Sequence, residues 1–293
     1  MPWELTANRS SESRPAPPRA VAQGGTKPVT HTTVVGWDGS ENAQTALAWA
    51  CDRSPSDRIV LVHARGDSDP GAGHNRLYEQ AESVRETHPG LRITCEELPG
   101  EASQVLADMT GLGTLVVLGA ARSGSTSTAT LPMAVVERAH GPVAVIPALR
   151  DGSRTGVAVW FDGTPMSRSA LSFAAGEAAG AGEPLTIIDV RRPLADAPAV
   201  HGGHEENGDQ DPAQWRVLHD ALVTAHVTHP GLAVRRMAAK GGLASALLEA
   251  SRTARLVVTG SSTEDSRAGA DLDPAGRALR ELSGCAVVVV PEA

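Results

Sequence analysis

Two stretches of this chain carry residues suited to binding an anion. The first runs Gly119-Ala-Ala-Arg122-Ser-Gly124-Ser-Thr-Ser-Thr-Ala-Thr130 and ends just before Pro132. Glycine lets a backbone amide approach an anion closely, and the helix that follows offers its positive N-terminus. The serines, the threonines and Thr130 can donate hydroxyl hydrogen bonds, and Arg122 can supply a positive charge. Pro132 suits the first turn of that helix. The second stretch follows Gly260 and holds Thr263, Glu264, Asp265, Asp271 and Asp273 before Pro274. Here acid stands where an anion would sit. Two unit charges about 5 Å apart repel by about 3 kcal/mol at an effective dielectric of 20, enough to weaken binding more than a hundredfold. Asp273 before Pro274 is itself a good helix N-cap and would satisfy the amides that an anion at the helix start would use.

Catalytic signatures do not accompany these loops. Gly-x-Ser-x-Gly and Gly-x4-Gly-Lys-Ser/Thr are absent from the sequence. His201, His204, Glu205 and Glu206 have a spacing that metal could use, but the segment is glycine-rich and reads as a loose surface cluster. Cys51, Cys95 and Cys285 are far apart and odd in number, so three buried thiols in a reducing cytosol are expected rather than a disulfide framework.

The elements that must position these loops occur twice. Thr87-His88-Pro89-Gly90-Leu91 returns 141 residues later as Thr228-His229-Pro230-Gly231-Leu232, and Leu115 to Gly119 returns as Leu256 to Gly260 at the same offset. Trp37-Asp38-Gly39-Ser40 is echoed 124 residues later by Phe161-Asp162-Gly163-Thr164. The growth in offset places 17 extra residues in the second copy, in a Pro-, Gly- and acid-rich surface loop from Arg191 to Asp211.

Within each copy, short β-branched runs alternate with helical patterns. In the first copy strands are expected at Thr33 to Trp37, Arg58 to His63, Leu91 to Glu96, Leu115 to Leu118 and Val143 to Ile146. Helices are expected at Glu41 to Arg53, Asn75 to Thr87, Ala102 to Thr110 and Pro132 to Ala139. The second copy repeats the order. Its strands run over Gly156 to Trp160, Pro184 to Val190, Ala233 to Ala238, Leu256 to Thr259 and Ala286 to Val290. Its helices run over Ser167 to Gly180, Gln214 to Thr228, Leu243 to Ser251 and Pro274 to Ser283. Continuous Val, Leu and Ile runs mark strands covered on both faces, so the fold class is α/β: two doubly wound five-stranded parallel-sheet domains in tandem. The domains span 30–149 and 154–293, after a Pro- and Ser-rich tail over 1–29 that reads as disordered. Trp49 and Trp160 read as packing residues.

Composition narrows the partners. The net charge is -8 and aromatics make up 3%, which disfavours nucleic acid as a partner. No apolar run approaches the length of a membrane span, and the N-terminus lacks the order of a secretory signal, so a cytoplasmic protein is expected.

Each half resembles a universal stress protein domain. Strand one runs into Asp-Gly-Ser/Thr at Asp38 and Asp162. Strand two carries Leu61-Val62-His63 or Ile187-Ile188-Asp189. Strand four ends in Gly119 or Gly260, and the last strand follows Gly141-Pro142 or Gly284-Cys285. The resemblance covers residues 31 to 293 and implies an adenine nucleotide alpha hydrolase-like fold with ATP across the carboxyl ends of the strands. It assigns Asp38 to the adenosine part, His63 to backbone contacts with the base, and a Gly-x2-Gly-x9-Gly-Ser/Thr loop to phosphate. In the first copy Arg122 replaces the second glycine, Gly124 is displaced, and Ala129-Thr130 aligns with the terminal pair. The ligand set it implies is Gly36, Asp38, His63, Gly119, Arg122, Gly124 and Thr130.

The resemblance implies a non-catalytic stress-response protein, with a degenerate adenine-nucleotide site in the first domain and an inactive one in the second. A protein-interaction module without nucleotide and a slow nucleotide hydrolase are the alternatives. Protein partners are not named by the sequence. The last strands, Val143 to Ile146 and Val287 to Val290, are expected to pair the two domains into a pseudo-dimer, and a homodimer of whole chains is compatible with that arrangement.

Overall fold

The computed structural model describes residues 32–53, 58–66, 74–111, 113–120, 131–148, 152–191, 212–240, 243–261 and 284–292. The expected helix over 274–283, the 1–29 tail and the insertion beyond Arg191 lie outside them.

Four β-branched residues open β1 (Thr32–Gly36), whose centre is buried. At its far end Ser40 starts α1 (Glu41–Arg53): its Oγ accepts from the Ala43 amide at 3.2 Å, with Glu41 in the first turn and Arg53 in the last to suit the helix dipole. The first copy continues through β2 (Arg58–Arg65), α2 (His74–Thr87), β3 (Arg92–Pro99), α3 (Ala102–Asp108), β4 (Thr114–Gly119), α4 (Leu131–Val136) and β5 (Val143–Ile146). The second runs β6 (Val157–Trp160), α5 (Pro165–Ala181), β7 (Leu185–Arg191), α6 (Pro212–Thr228), β8 (Val234–Lys240), α7 (Leu243–Ser251), β9 (Leu256–Ser261) and β10 (Ala286–Pro291).

Boundary differences from expectation have local causes. Helix α5 begins two residues early because Thr164 caps it, its Oγ1 accepting from the Ser167 amide at 3.3 Å, with Pro165 in the first turn. It stops at Gly182, which takes φ 65. Helix α3 is capped by Glu101, whose carboxylate accepts from the Ser103 and Gln104 amides and from the Ser103 hydroxyl. Those bonds, the Ser103 hydroxyl first, hold the Glu101 carboxyl below its ordinary pKa.

The strands form one sheet in the order β3-β2-β1-β4-β5-β10-β9-β6-β7-β8. Pairing within each half is parallel. The halves meet where β10 runs antiparallel to β5, with Val287 opposite Val145, Val288 opposite Ala144 and Val289 opposite Val143. Gly141 and Gly284 mark the same corner in the two copies. Matching the strands from there carries the Ala144–Val288 pair onto Val145–Val287, so a pseudo-twofold axis passes between them. Strand β5 is buried throughout, and the junction covers two edges that would otherwise offer unpaired backbone groups.

One face of the sheet is covered by α1, α2, α5 and α6, the other by α3, α4 and α7, and each apolar core runs continuously through both halves. Trp49 lies in the first core, and Trp160 packs partly buried against the second. Cys51 and Cys285 are buried free thiols. Cys95 is only half-buried, because its strand β3 is the outermost of the sheet. Among the described residues no helix is long and apolar enough to cross a membrane.

Candidate functional site

Strand order reverses between β1 and β4 in the first copy and between β6 and β9 in the second. Two neighbouring strands there send their chains to opposite faces of the sheet, which opens a crevice at the carboxyl ends. The turn after β1 carries Asp38, which is exposed; its Oδ1 accepts from the Ser40 amide at 2.9 Å. Gly39 makes that turn with φ 77, in the left-handed region that favours glycine. The second copy builds the same turn from Asp162, Gly163 and Thr164, with Gly163 at φ 85.

The two turns differ in what surrounds them. The Ser40 and Thr164 hydroxyls both accept from the first turn of the helix, but Asp162 Oδ1 accepts twice from Thr164, from the amide at 3.0 Å and from the hydroxyl at 2.6 Å, whereas among the described residues Asp38 accepts from the Ser40 amide alone. A Cβ placed on Gly39 meets nothing within 4 Å among the described residues. One placed on Gly163 would stand 2.7 Å from Cγ1 of Val217. Val217 belongs to α6, and at the offset of 141 its counterpart is the exposed Arg76 of α2. Helix α6 therefore covers the second turn, while among the described residues nothing stands as close to the first.

A second difference lies inside the crevice wall. Gly36 and Leu118 are lateral neighbours at the ends of β1 and β4, and a Cβ on Gly36 would come within 2.8 Å of the Leu118 Cδ2 and 3.2 Å of the Leu106 Cδ1. The matching positions in the second copy are Trp160 and Thr259. The larger side chain of the pair stands on the fourth strand in the first copy and on the first strand in the second. The consequence is an indole on the first strand of the second crevice where the first copy has no side chain.

Gly119 and Gly260 share one constraint. A Cβ on Gly119 would lie 2.5 Å from the Asn42 carbonyl, and one on Gly260 would lie 2.7 Å from the Met166 carbonyl. Both clashes are with backbone in the first turn of the helix after strand one, so each glycine lets that helix lie against the fourth strand. A bulky substitution at either glycine perturbs packing before it tests a ligand.

His63 does not end its strand as expected, since β2 continues to Arg65. Its ring Nδ1 lies 2.8 Å from the Trp37 carbonyl, which can only accept, so Nδ1 carries the proton. The Trp37 amide donates to the Val62 carbonyl at 2.7 Å. His63 thus pins the chain as it leaves β1, one residue before Asp38. The structure brings Gly36, Asp38, His63 and Gly119 to the carboxyl end of the first half. Arg122, Gly124 and Thr130, with the acids of the second loop, lie outside the described residues. Sequence reasoning missed Val217, and also the exchange of Trp160 and Thr259 for Gly36 and Leu118; that exchange was legible once the copies were aligned position by position.

At the first crevice Asp38 is an exposed carboxylate that, among the described residues, accepts only from the Ser40 amide, so it can accept a further hydrogen bond. At the second, Asp162 is doubly engaged and Val217 lies over its glycine. Among the described residues no group of three or more His, Cys, Asp or Glu side chains is placed to hold a metal ion.

No family model matches the chain. It is 30% identical over 264 residues to a universal stress protein of Mycolicibacterium smegmatis, covering 78% of this chain and 86% of that one. It is 29% identical over 297 residues to a universal stress protein of Mycobacterium tuberculosis, covering 88% and 93%. The crystal structure of a universal stress protein from Archaeoglobus fulgidus superposes with a TM-score of 0.61 at 17% identity, over 90% of this chain and 99% of that one.

Proposed function

This chain belongs to the universal stress protein family, and from that premise we propose that it binds one adenine nucleotide, in the crevice of its first half, as a regulatory ligand that it does not turn over. The observation that carries the reading is the unequal cover of two equivalent turns among the described residues, with Gly163 under Val217 and nothing within 4 Å of a Cβ on Gly39. In this reading Asp38 accepts from the adenosine part, and the loop after Gly119 takes the phosphates. Bound ATP supplies charge and hydrogen-bonding surface at the end of the sheet. Titration of the full chain with ATP, compared between Asp38→Ala and Asp162→Ala, tests the reading. A phosphate-release assay on the same samples tests whether the nucleotide is left intact.

A further inference from the structure

Arg53 and Glu177 form a bidentate ion pair between the halves. Arg53 donates from Nε to Glu177 Oε2 at 2.9 Å and from Nη2 to Glu177 Oε1 at 2.5 Å, and the side chains are only 5% and 4% exposed. The residues are 124 positions apart, the offset that relates Asp38 to Asp162. They are therefore the same position of the duplicated unit, Arg53 closing α1 and Glu177 lying in α5. A residue that meets its own counterpart in this way lies beside the pseudo-twofold axis, on the face shared by α1 and α5. A second divergence accompanies the first. Arg53 Nη1 also reaches the buried Thr33 hydroxyl at 3.5 Å, and at the same offset the other copy has Val157. The copy with arginine supplies an extra acceptor beneath it; the copy with glutamate supplies an aliphatic side chain.

We propose that Arg53 and Glu177 determine which domains pair across the β5–β10 edge: the first domain accepts a domain with an acid at this position and rejects a second copy of itself. Pairing like with like through the same edge would set Arg53 against Arg53 or Glu177 against Glu177. In so dry a place each charge would lose its partner across the axis and face a like charge instead, which is strongly unfavourable. Unequal divergence at the axis thus turns a surface suited to self-pairing into one that fits only its complement, a coupling by repulsion as much as by attraction. The proposal does not depend on whether nucleotide binds.

The test is a charge-swap cycle in the full chain, with Arg53→Glu, Glu177→Arg and both together, beside the neutral variants Arg53→Met and Glu177→Gln. Unfolding midpoints and backbone amide exchange along β5 and β10 are read. Each reversal is expected to lower the midpoint by about 10 °C or more, and by more than its neutral counterpart. The double swap is expected to recover over half of the summed loss. Exchange should rise at β5 and β10 before it rises at β2 and β7. If the reversals fail to fold, Arg53→Met, Glu177→Gln and their double variant serve in their place, and the double is expected to lose less than the two singles combined. Additive losses in the available cycle, or exchange that rises evenly over the sheet, would overturn the proposal.

Discussion

Gly163 lies beneath Val217: a Cβ on this glycine would stand 2.7 Å from the valine Cγ1, where one on its counterpart Gly39 meets nothing within 4 Å among the described residues. The two turns have nearly the same backbone, at φ 85 and φ 77, so the strain of adding a side chain is alike in both. The helix above one of them makes the difference. Alanine at Gly39 is therefore expected to cost about 1 kcal/mol, from φ alone. Alanine at Gly163 adds an overpacking term of about 1–3 kcal/mol. Chemical denaturation of Gly39→Ala and Gly163→Ala should show the larger loss at Gly163, and equal losses would mean that α6 does not cover the second turn.

The exchange of Gly36 and Leu118 for Trp160 and Thr259 makes a paired prediction. Trp160→Gly removes an indole packed against the second core and is expected to cost about 3 kcal/mol or more. Adding Thr259→Leu supplies the bulk that the first copy carries on the neighbouring strand, so the double variant should regain part of that loss. Such coupling is expected of side chains in contact. Denaturant midpoints of the two singles and the double decide it, and strict additivity would show that the positions do not share one space.

Burial pushes the Cys51 thiol up to about 11 from an ordinary 9.0, with Asp52 adding to the effect, and it pushes Cys285 up to about 11 against the opposing pull of Arg154. A folded-state pKa above the unfolded value means that folding favours the protonated thiol. That contribution is complete below pH 9 and is lost as pH rises toward 11, on the order of 2 kcal/mol for each thiol. Thermal unfolding between pH 8 and 11 should therefore fall less steeply in Cys51→Ala and in Cys285→Ala than in the parent chain.

Much of the architecture was legible because it is repeated. The β-branched runs fixed the strands to within a few residues, and Ser40 marked the start of α1, since a hydroxyl before an acidic first turn is a local signal. The Gly141 and Gly284 corners pointed to the last strands, which the structure pairs. The candidate site was legible only in outline. Asp38 and Gly119 follow from their places at strand ends, but the reason Gly119 must be glycine is the Asn42 backbone, which comes close only after the crossover closes. Val217 was hidden for a similar reason: its helix was expected, but its approach to Gly163 is a contact between residues far apart in the sequence that only the folded chain brings together. The likeness of His63 to a ligand obscured its role as a donor to the Trp37 carbonyl. Arg53 and Glu177 look like ordinary charged helix residues until the offset of 124 shows them to be one position.

The most direct measurement is calorimetric titration of the full chain with ATP, repeated with Asp38→Ala and Asp162→Ala. One equivalent per chain is expected, weakened roughly 10- to 100-fold by Asp38→Ala, as for loss of a hydrogen bond to a charged group, and unchanged by Asp162→Ala. Two equivalents, or a single one lost in Asp162→Ala and kept in Asp38→Ala, would contradict the assignment of the ligand to the first half; no heat and no competition at millimolar ATP would leave a pairing module without a nucleotide.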